Sequence, residues 1–154
     1  MTDLVEGGQA PDFDLETADG RVRLSDFAGK TLVLYFYPKD DTEGCTREAK
    51  DFSALAPEFA KAGATVVGVS KDTIAKHKKF AAKYGLTVPL ASDPEGETIE
   101  RYGSWVEKTL YGRQYMGIDR STFLIRDGRV VRIWRKVRTP GHAEQVLAAV
   151  REAA

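Results

Sequence analysis

The chain has 154 residues, 42% of them hydrophobic and 30% charged, with 23 basic residues balancing 23 acidic ones. A chain of this length buries roughly 70% of the surface that its unfolded form exposes, enough for a core without disulfides. Balanced charge with no long block of either sign lacks the electrostatic footprint of a nucleic-acid binder, and no run approaches the roughly 18 apolar residues of a membrane span.

Met1 to Pro11 has neither a basic n-region nor an apolar h-region, so no secretory signal is expected and a cytoplasmic location follows by default. Phe13–Leu15 and Val22–Leu24 flank Asp19-Gly20, a strong turn signal, and predict an N-terminal β-hairpin. Thr31 to Tyr37 is a continuous apolar, β-branched and aromatic run ended by Pro38, the pattern of a strand buried on both faces. From Thr42 to Ala62 the period becomes helical, with Cys45, Ala49, Phe52, Leu55, Ala56 and Phe59 on one stripe and Gly63 as the stop. Ala64–Ser70 predicts the next buried strand, and Asp72 is placed as the cap of a helix reaching Tyr84-Gly85.

Val88–Ala91 predicts a short strand, and Asp93-Pro94 opens a helix ending near Tyr102-Gly103. Ser104–Gly117 has no clean period and reads as an ordered loop. Ser121–Ile125 and Val130–Lys136 form a hairpin around Asp127-Gly128; the basic stretch Arg126–Arg138, interleaved with Val130, Val131, Ile133 and Trp134, reads as strand with one wet face. Thr139-Pro140 opens a closing helix with Val146, Leu147 and Val150 inward. Strand and helix alternate, then a hairpin and a last helix follow, so the expectation is an α/β domain over residues 1–154 with a mixed central sheet and helices on both faces.

Cys45 is the only cysteine, which excludes an intramolecular disulfide, a CxxC motif and a cysteine-rich zinc site; with only His77 and His142, a histidine-rich metal site is not expected either. Cys45 falls in the first turn of a helix just after a buried strand, where free N–H groups and the helix dipole favour a thiolate. Thr42 can cap that helix or turn its hydroxyl to the sulfur, and Gly44 lets another molecule approach the backbone. The same sulfur also fits a packed position on the stripe with Phe52 and Phe59, and spacing alone leaves both readings open. A free thiol titrates near 8.5 and taking one to about 6 requires about 3 kcal/mol. A helix start contributes ~0.3–2 kcal/mol and Asp40, Asp41 and Glu43 oppose an anion, so a cation must come from elsewhere in the fold.

Pro38, Thr42 and Cys45 match the peroxiredoxin pattern P-x-x-x-T-x-x-C. The longer stretch resembles the bacterioferritin-comigratory, or PrxQ, subfamily, and the likeness extends through Val5–Phe13, Tyr102–Lys108 and Tyr115–Ile125 over nearly the whole chain. The resemblance implies a thioredoxin-like fold and a peroxidase with Cys45 as peroxidatic nucleophile. It further implies that Thr42 and Arg120 bond the peroxide oxygens, that Pro38 shields the sulfur, and that Glu48, three residues after Cys45, orients Arg120. Two positions depart from the subfamily: Lys50 stands where many members carry a resolving cysteine, and Glu43 replaces a usual proline.

The expected partners are therefore a hydroperoxide and an external thiol, whether thioredoxin, glutaredoxin or a low-molecular-weight thiol, with no cofactor, metal, nucleic acid or membrane, in a monomer or weak homodimer. A non-enzymatic redox sensor or interaction protein on the same fold is the alternative. A cysteine hydrolase needs a histidine base near Cys45, and both histidines fall in peripheral helices. Arg47 and Arg113 read as surface cations, Trp105, Trp134 and the tyrosines near Gly112 as core, and His77 and His142 as structural.

Overall fold

A computed structural model describes residues 4–153, so Met1–Asp3 and Ala154, the ends of the expected domain, lie outside the described residues. The elements are β1 (Asp14–Thr17), β2 (Gly20–Arg23), β3 (Thr31–Phe36), α1 (Glu43–Lys61), β4 (Ala64–Ser70), α2 (Ile74–Tyr84), β5 (Leu90–Ser92), α3 (Glu97–Arg101), β6 (Trp105–Leu110), β7 (Arg113–Ile118), β8 (Ser121–Arg126), β9 (Arg129–Trp134) and α4 (His142–Ala153). Among the described residues, seven strands form one mixed sheet in the order β2-β1-β5-β4-β3-β8-β9, with β3, β4 and β5 parallel and the other pairings antiparallel. Helices flank it, in a thioredoxin-like arrangement.

Strand β3 lies in the middle because its residues suit two apolar faces. Val33, Tyr35 and Tyr37 point into the layer holding Ala49, Phe52 and Phe59 of α1, Phe80 of α2 and Val146 and Val150 of α4. Leu32, Leu34 and Phe36 point the other way, to Phe13, Ile99 of α3, Tyr102 and Phe123. Among the described residues no helix is long and apolar enough to cross a membrane.

Four local expectations are corrected. Helix α2 is capped by Thr73, whose Oγ1 accepts from Lys76 N, while Asp72 turns its carboxylate to Ser70 and Asp40. Strand β5 begins after Pro89, which has no N–H for the ladder. Asp93-Pro94 forms a turn rather than a helix start; the Asp93 carboxylate accepts Ile99 N, and α3 begins after Gly96 at φ +77°.

The fourth correction is Ser104–Gly117, which is not a loop but the two-stranded hairpin β6–β7 closed by Tyr111 and Gly112, both at positive φ. Most of its residues are partly or fully exposed on both faces, so no apolar face imposed an alternating pattern that could be read. Tyr111 and Tyr115 consequently stand in solvent rather than in the core, whereas Trp105 and Trp134 are half-buried against it.

Candidate active site

The sheet register brings the site together. Phe36, the last residue of β3, pairs with Ser121, the first of β8, so the segment leaving β3 and the residue preceding β8 share one end of the sheet. The first is the loop 37–42 that feeds α1 and Cys45; the second is Arg120. The Arg120 turn is fixed by Asp119 N donating to Ser104 O and by Val137 N donating to Arg120 O. Residues 75 positions apart thereby meet: Arg120 Nη2 lies 3.3 Å from Cys45 Sγ and Nη1 donates to Glu48 Oε1 at 2.7 Å.

Cys45 is 1% exposed and Glu48 2%. Burial pushes the Glu48 carboxyl up from 4.5 to about 7, although Arg120 pulls it down. Burial likewise works against the Arg120 guanidinium, but Glu48 and Cys45 outweigh it and hold that group above its ordinary value. Desolvation of Glu48 thus exceeds the attraction of its partner, and near neutrality this carboxyl is partly protonated. Its Oε2 is buried without a hydrogen-bond partner, where a proton costs less than an unpaired negative charge.

Thr42 occupies the N-cap position of α1, but its hydroxyl does not cap the helix: it donates to Lys39 O at 2.8 Å. Its oxygen lone pairs are left for an incoming donor. The space at Gly44, expected to admit another molecule, is taken by the chain's own Arg120, whose Nη2 would lie 3.1 Å from a Cβ there. Pro38 is exposed at the point where the chain leaves β3. The acidic objection to a thiolate is reduced by the fold: Asp40 faces Tyr37 and His77, Asp41 accepts from Lys83 and Tyr84, and only Glu43 of the three stays open to solvent near α1 without such a partner.

Arg47 pairs with Asp51 on the surface, and exposed Arg113 starts β7 at the end away from Arg120. Lys50 is exposed, near the Tyr84 ring. A cavity of about 570 Å³ lined by Thr42, Glu43, Thr46 and Lys50 runs beside the first turn of α1, and Cys45 is not in its wall. Among the described residues no group of three or more His, Cys, Asp or Glu side chains is arranged to hold a metal. His142 is buried beneath the site, its Nε2 2.8 Å from Thr122 Oγ1 and its ring edge-on to Phe52. Sequence reasoning overlooked the polar partners of His77; a histidine on the apolar side of α2, within chain reach of an aspartate-rich loop, was the available signal.

Two buried groups make a pH prediction. Glu48 keeps its proton in the fold between 4.5 and about 7, where the unfolded chain has lost it, so its contribution to stability declines as pH rises through that window. His142 is lowered from 6.5 to about 4, chiefly by burial, so its contribution is lost as pH falls through that range. Each effect is on the order of 3 kcal/mol, and between pH 4.5 and 6.5 they oppose each other. Glu48→Gln should therefore lose stability on acidification more steeply than the unmodified chain, and His142→Gln less steeply, in urea melts across that range. Parallel curves for all three proteins would reject these assignments.

Comparison with known proteins identifies the family and the fold. The AhpC/TSA family matches residues 7–133. Peroxiredoxin Bcp of Xanthomonas campestris is 48% identical over 155 aligned residues, covering 98% of this chain and 97% of that protein. Among solved structures, a cysteine-to-serine mutant of Xylella fastidiosa PrxQ has a TM-score of 0.92 at 40% identity, covering 97% of each chain. The Xanthomonas campestris bacterioferritin comigratory protein, in a study of its alkyl peroxide reduction activity through trapped intermediate and ligand complexes, has a TM-score of 0.87 at 47% identity, covering 92% of this chain and 91% of that one.

Proposed function

This chain belongs to the AhpC/TSA family, as a peroxiredoxin of the Bcp/PrxQ kind and hence a thiol-dependent peroxidase, and from that premise we propose that Cys45 is its nucleophile and Arg120, Thr42, Pro38, Gly44 and Glu48 its supporting residues. The observation that carries the assignment is the placement of one guanidinium between a buried sulfur and a buried carboxyl. With its side chain 16% exposed, that cation balances a thiolate with little competition from water.

The Cys45 thiolate attacks one oxygen of the hydroperoxide, the O–O bond breaks, sulfur is oxidised to sulfenic acid, and the other oxygen leaves as alkoxide or hydroxide, which becomes an alcohol or water by taking from solvent the proton that Cys45 released on ionising. Arg120 donates to the attacked oxygen and stabilises charge along the bond being broken. Thr42, its own proton committed to Lys39 O, accepts the O–H of the hydroperoxide and aligns it. Glu48 holds the guanidinium in place, Gly44 leaves room for it, and Pro38 has the shielding role that its motif position implies. One domain covers the described residues, 4–153, and hydrogen peroxide and small organic hydroperoxides are the substrates.

With one cysteine in the chain, sulfenic acid has no internal thiol to meet. An external thiol condenses with it to a mixed disulfide and water, and a second thiol releases Cys45. Thioredoxin, glutaredoxin or a low-mass thiol fits that role, in the reducing cytoplasm, with the protein as a monomer or weak homodimer. The missing resolving cysteine also fits a sensor that hands its oxidation to a partner; sustained peroxide consumption with supplied thiol distinguishes turnover from that reading.

Mass analysis of Cys45 after one equivalent of hydrogen peroxide tests the proposal. One added oxygen is expected without thiol, progressing to two and three under excess peroxide, and a mixed disulfide with added glutathione. A fast, quantitative Cys45-to-Cys45 dimer, or no change at Cys45, would overturn it.

A further inference from the structure

Outside the cluster around the sulfur, the loop 37–42 is tied to β4, α2 and β5 by a second buried polar network. The Tyr37 hydroxyl donates to Asp40 Oδ1 at 2.5 Å, Asp40 Oδ2 faces His77 Nδ1 at 2.6 Å, and His77 Nε2 lies 3.0 Å from the Ala91 carbonyl oxygen. Asp72 Oδ2 accepts from Asp40 N at 2.8 Å and from Ser70 Oγ at 2.7 Å. His77 is 1% exposed, Asp40 8% and Asp72 9%. Nε2 must carry a hydrogen to meet Ala91 O, and a further proton is shared between Nδ1 and the Asp40 carboxylate. Burying this many polar groups is costly unless each is satisfied, and in return a satisfied network admits one geometry.

That geometry bears on Thr42 through a single peptide unit. The Lys39 carbonyl, which takes the Thr42 hydroxyl proton, and the Asp40 N–H, which Asp72 holds, belong to the same trans peptide and point in opposite directions. Fixing one fixes the other. His77 and Tyr37 hold the Asp40 side chain, Asp72 holds its N–H, and Lys39 O then sets which way the Thr42 hydroxyl points.

We infer that His77, acting through Asp40, is a positioning residue that fixes the Lys39–Asp40 peptide and thereby presents the Thr42 oxygen to the hydroperoxide. This rests on the role proposed above for Thr42. The sulfur itself is held by Arg120, whose guanidinium bonds Cys45 and Glu48 and none of the residues of this network, so loosening the network disturbs peroxide alignment and not thiolate formation.

The test is a double-mutant cycle of His77→Ala with Thr42→Val, read as the second-order rate of Cys45 oxidation by hydrogen peroxide and as the pH profile of Cys45 alkylation by iodoacetamide. His77→Ala should slow oxidation at least tenfold with the alkylation profile unmoved, should add less than twofold in the Thr42→Val background, and should be partly rescued by His77→Asn, which restores a donor toward Asp40. Equal slowing of oxidation and alkylation, or a second tenfold loss in the Thr42→Val background, would overturn the inference while leaving Thr42 its role. An unchanged rate in Thr42→Val alone would overturn that role and the inference with it. If His77→Ala does not fold, Tyr37→Phe replaces it in the same cycle, with about a threefold slowing expected and additivity again the contrary result.

Discussion

Replacing Cys45 with serine should lower thiol-supported hydroperoxide consumption by at least a thousandfold while the protein melts within a few degrees of the unmodified chain. Serine is nearly isosteric with cysteine, but its hydroxyl is almost wholly protonated at neutral pH, so the attacking anion vanishes. The site around it survives: Arg120 still has Glu48, and the introduced hydroxyl can accept from Nη2 in place of the sulfur. Removal of one sulfur from a position 1% exposed leaves little empty volume, and a cost of about 1 kcal/mol is expected. The measurement is peroxide loss with dithiothreitol as reductant, alongside a thermal melt. Residual activity above a tenth would sink the assignment of Cys45, because no other cysteine exists in the chain.

Arg120→Ala should slow Cys45 oxidation about 100-fold, equivalent to about 2.7 kcal/mol of barrier. The substitution removes the donor 3.3 Å from the sulfur and also leaves the Glu48 carboxyl buried without its counter-charge. Glu48 then keeps its proton to higher pH, and iodoacetamide alkylation of Cys45 should require more alkaline conditions than in the unmodified protein. Arg120→Lys should recover only part of the loss, since an ammonium cannot donate to Sγ and Glu48 through one rigid planar fork as Nη1 and Nη2 do. An unchanged oxidation rate together with an unchanged alkylation profile in Arg120→Ala would remove Arg120 from the site.

Much of the fold follows from local pattern. The run 31–37 is apolar at nearly every position because β3 is buried on both faces, and the stripe from Cys45 to Phe59 has helical spacing because one side of α1 covers the sheet. Where an element met no core, the pattern failed: β6 and β7 expose both faces, so no apolar period marked them as strands. Helix starts were less legible than helix bodies. Asp72 and Thr73 are adjacent and both suit a cap, and only the burial of Asp72 beside Ser70 and Asp40 assigns the cap to Thr73.

The chemistry divides along the same physical line. A single thiol in the first turn of a helix, the threonine three residues before it and the lysine at the resolving position are facts of the chain, and they limit the redox cycle to one sulfur and an outside reductant. Electrostatics around that sulfur depends on distances that no local spacing encodes. Asp40 and Asp41, charges of the wrong sign when read along the chain, are drawn off to His77, Lys83 and Tyr84, and the cation arrives from 75 residues away because Phe36 pairs with Ser121. Spacing on the helix also fits Glu48 as a solvated charge, though less well than as a partner of Arg120. Its midpoint near 7 and its hold on Arg120 come from being buried at 2% exposure, a consequence of how α1 lies on the sheet. Periodicity and turn residues act over a few positions and are written in the chain; charge pairing and desolvation act through space, so they are set only when the sheet has closed around them.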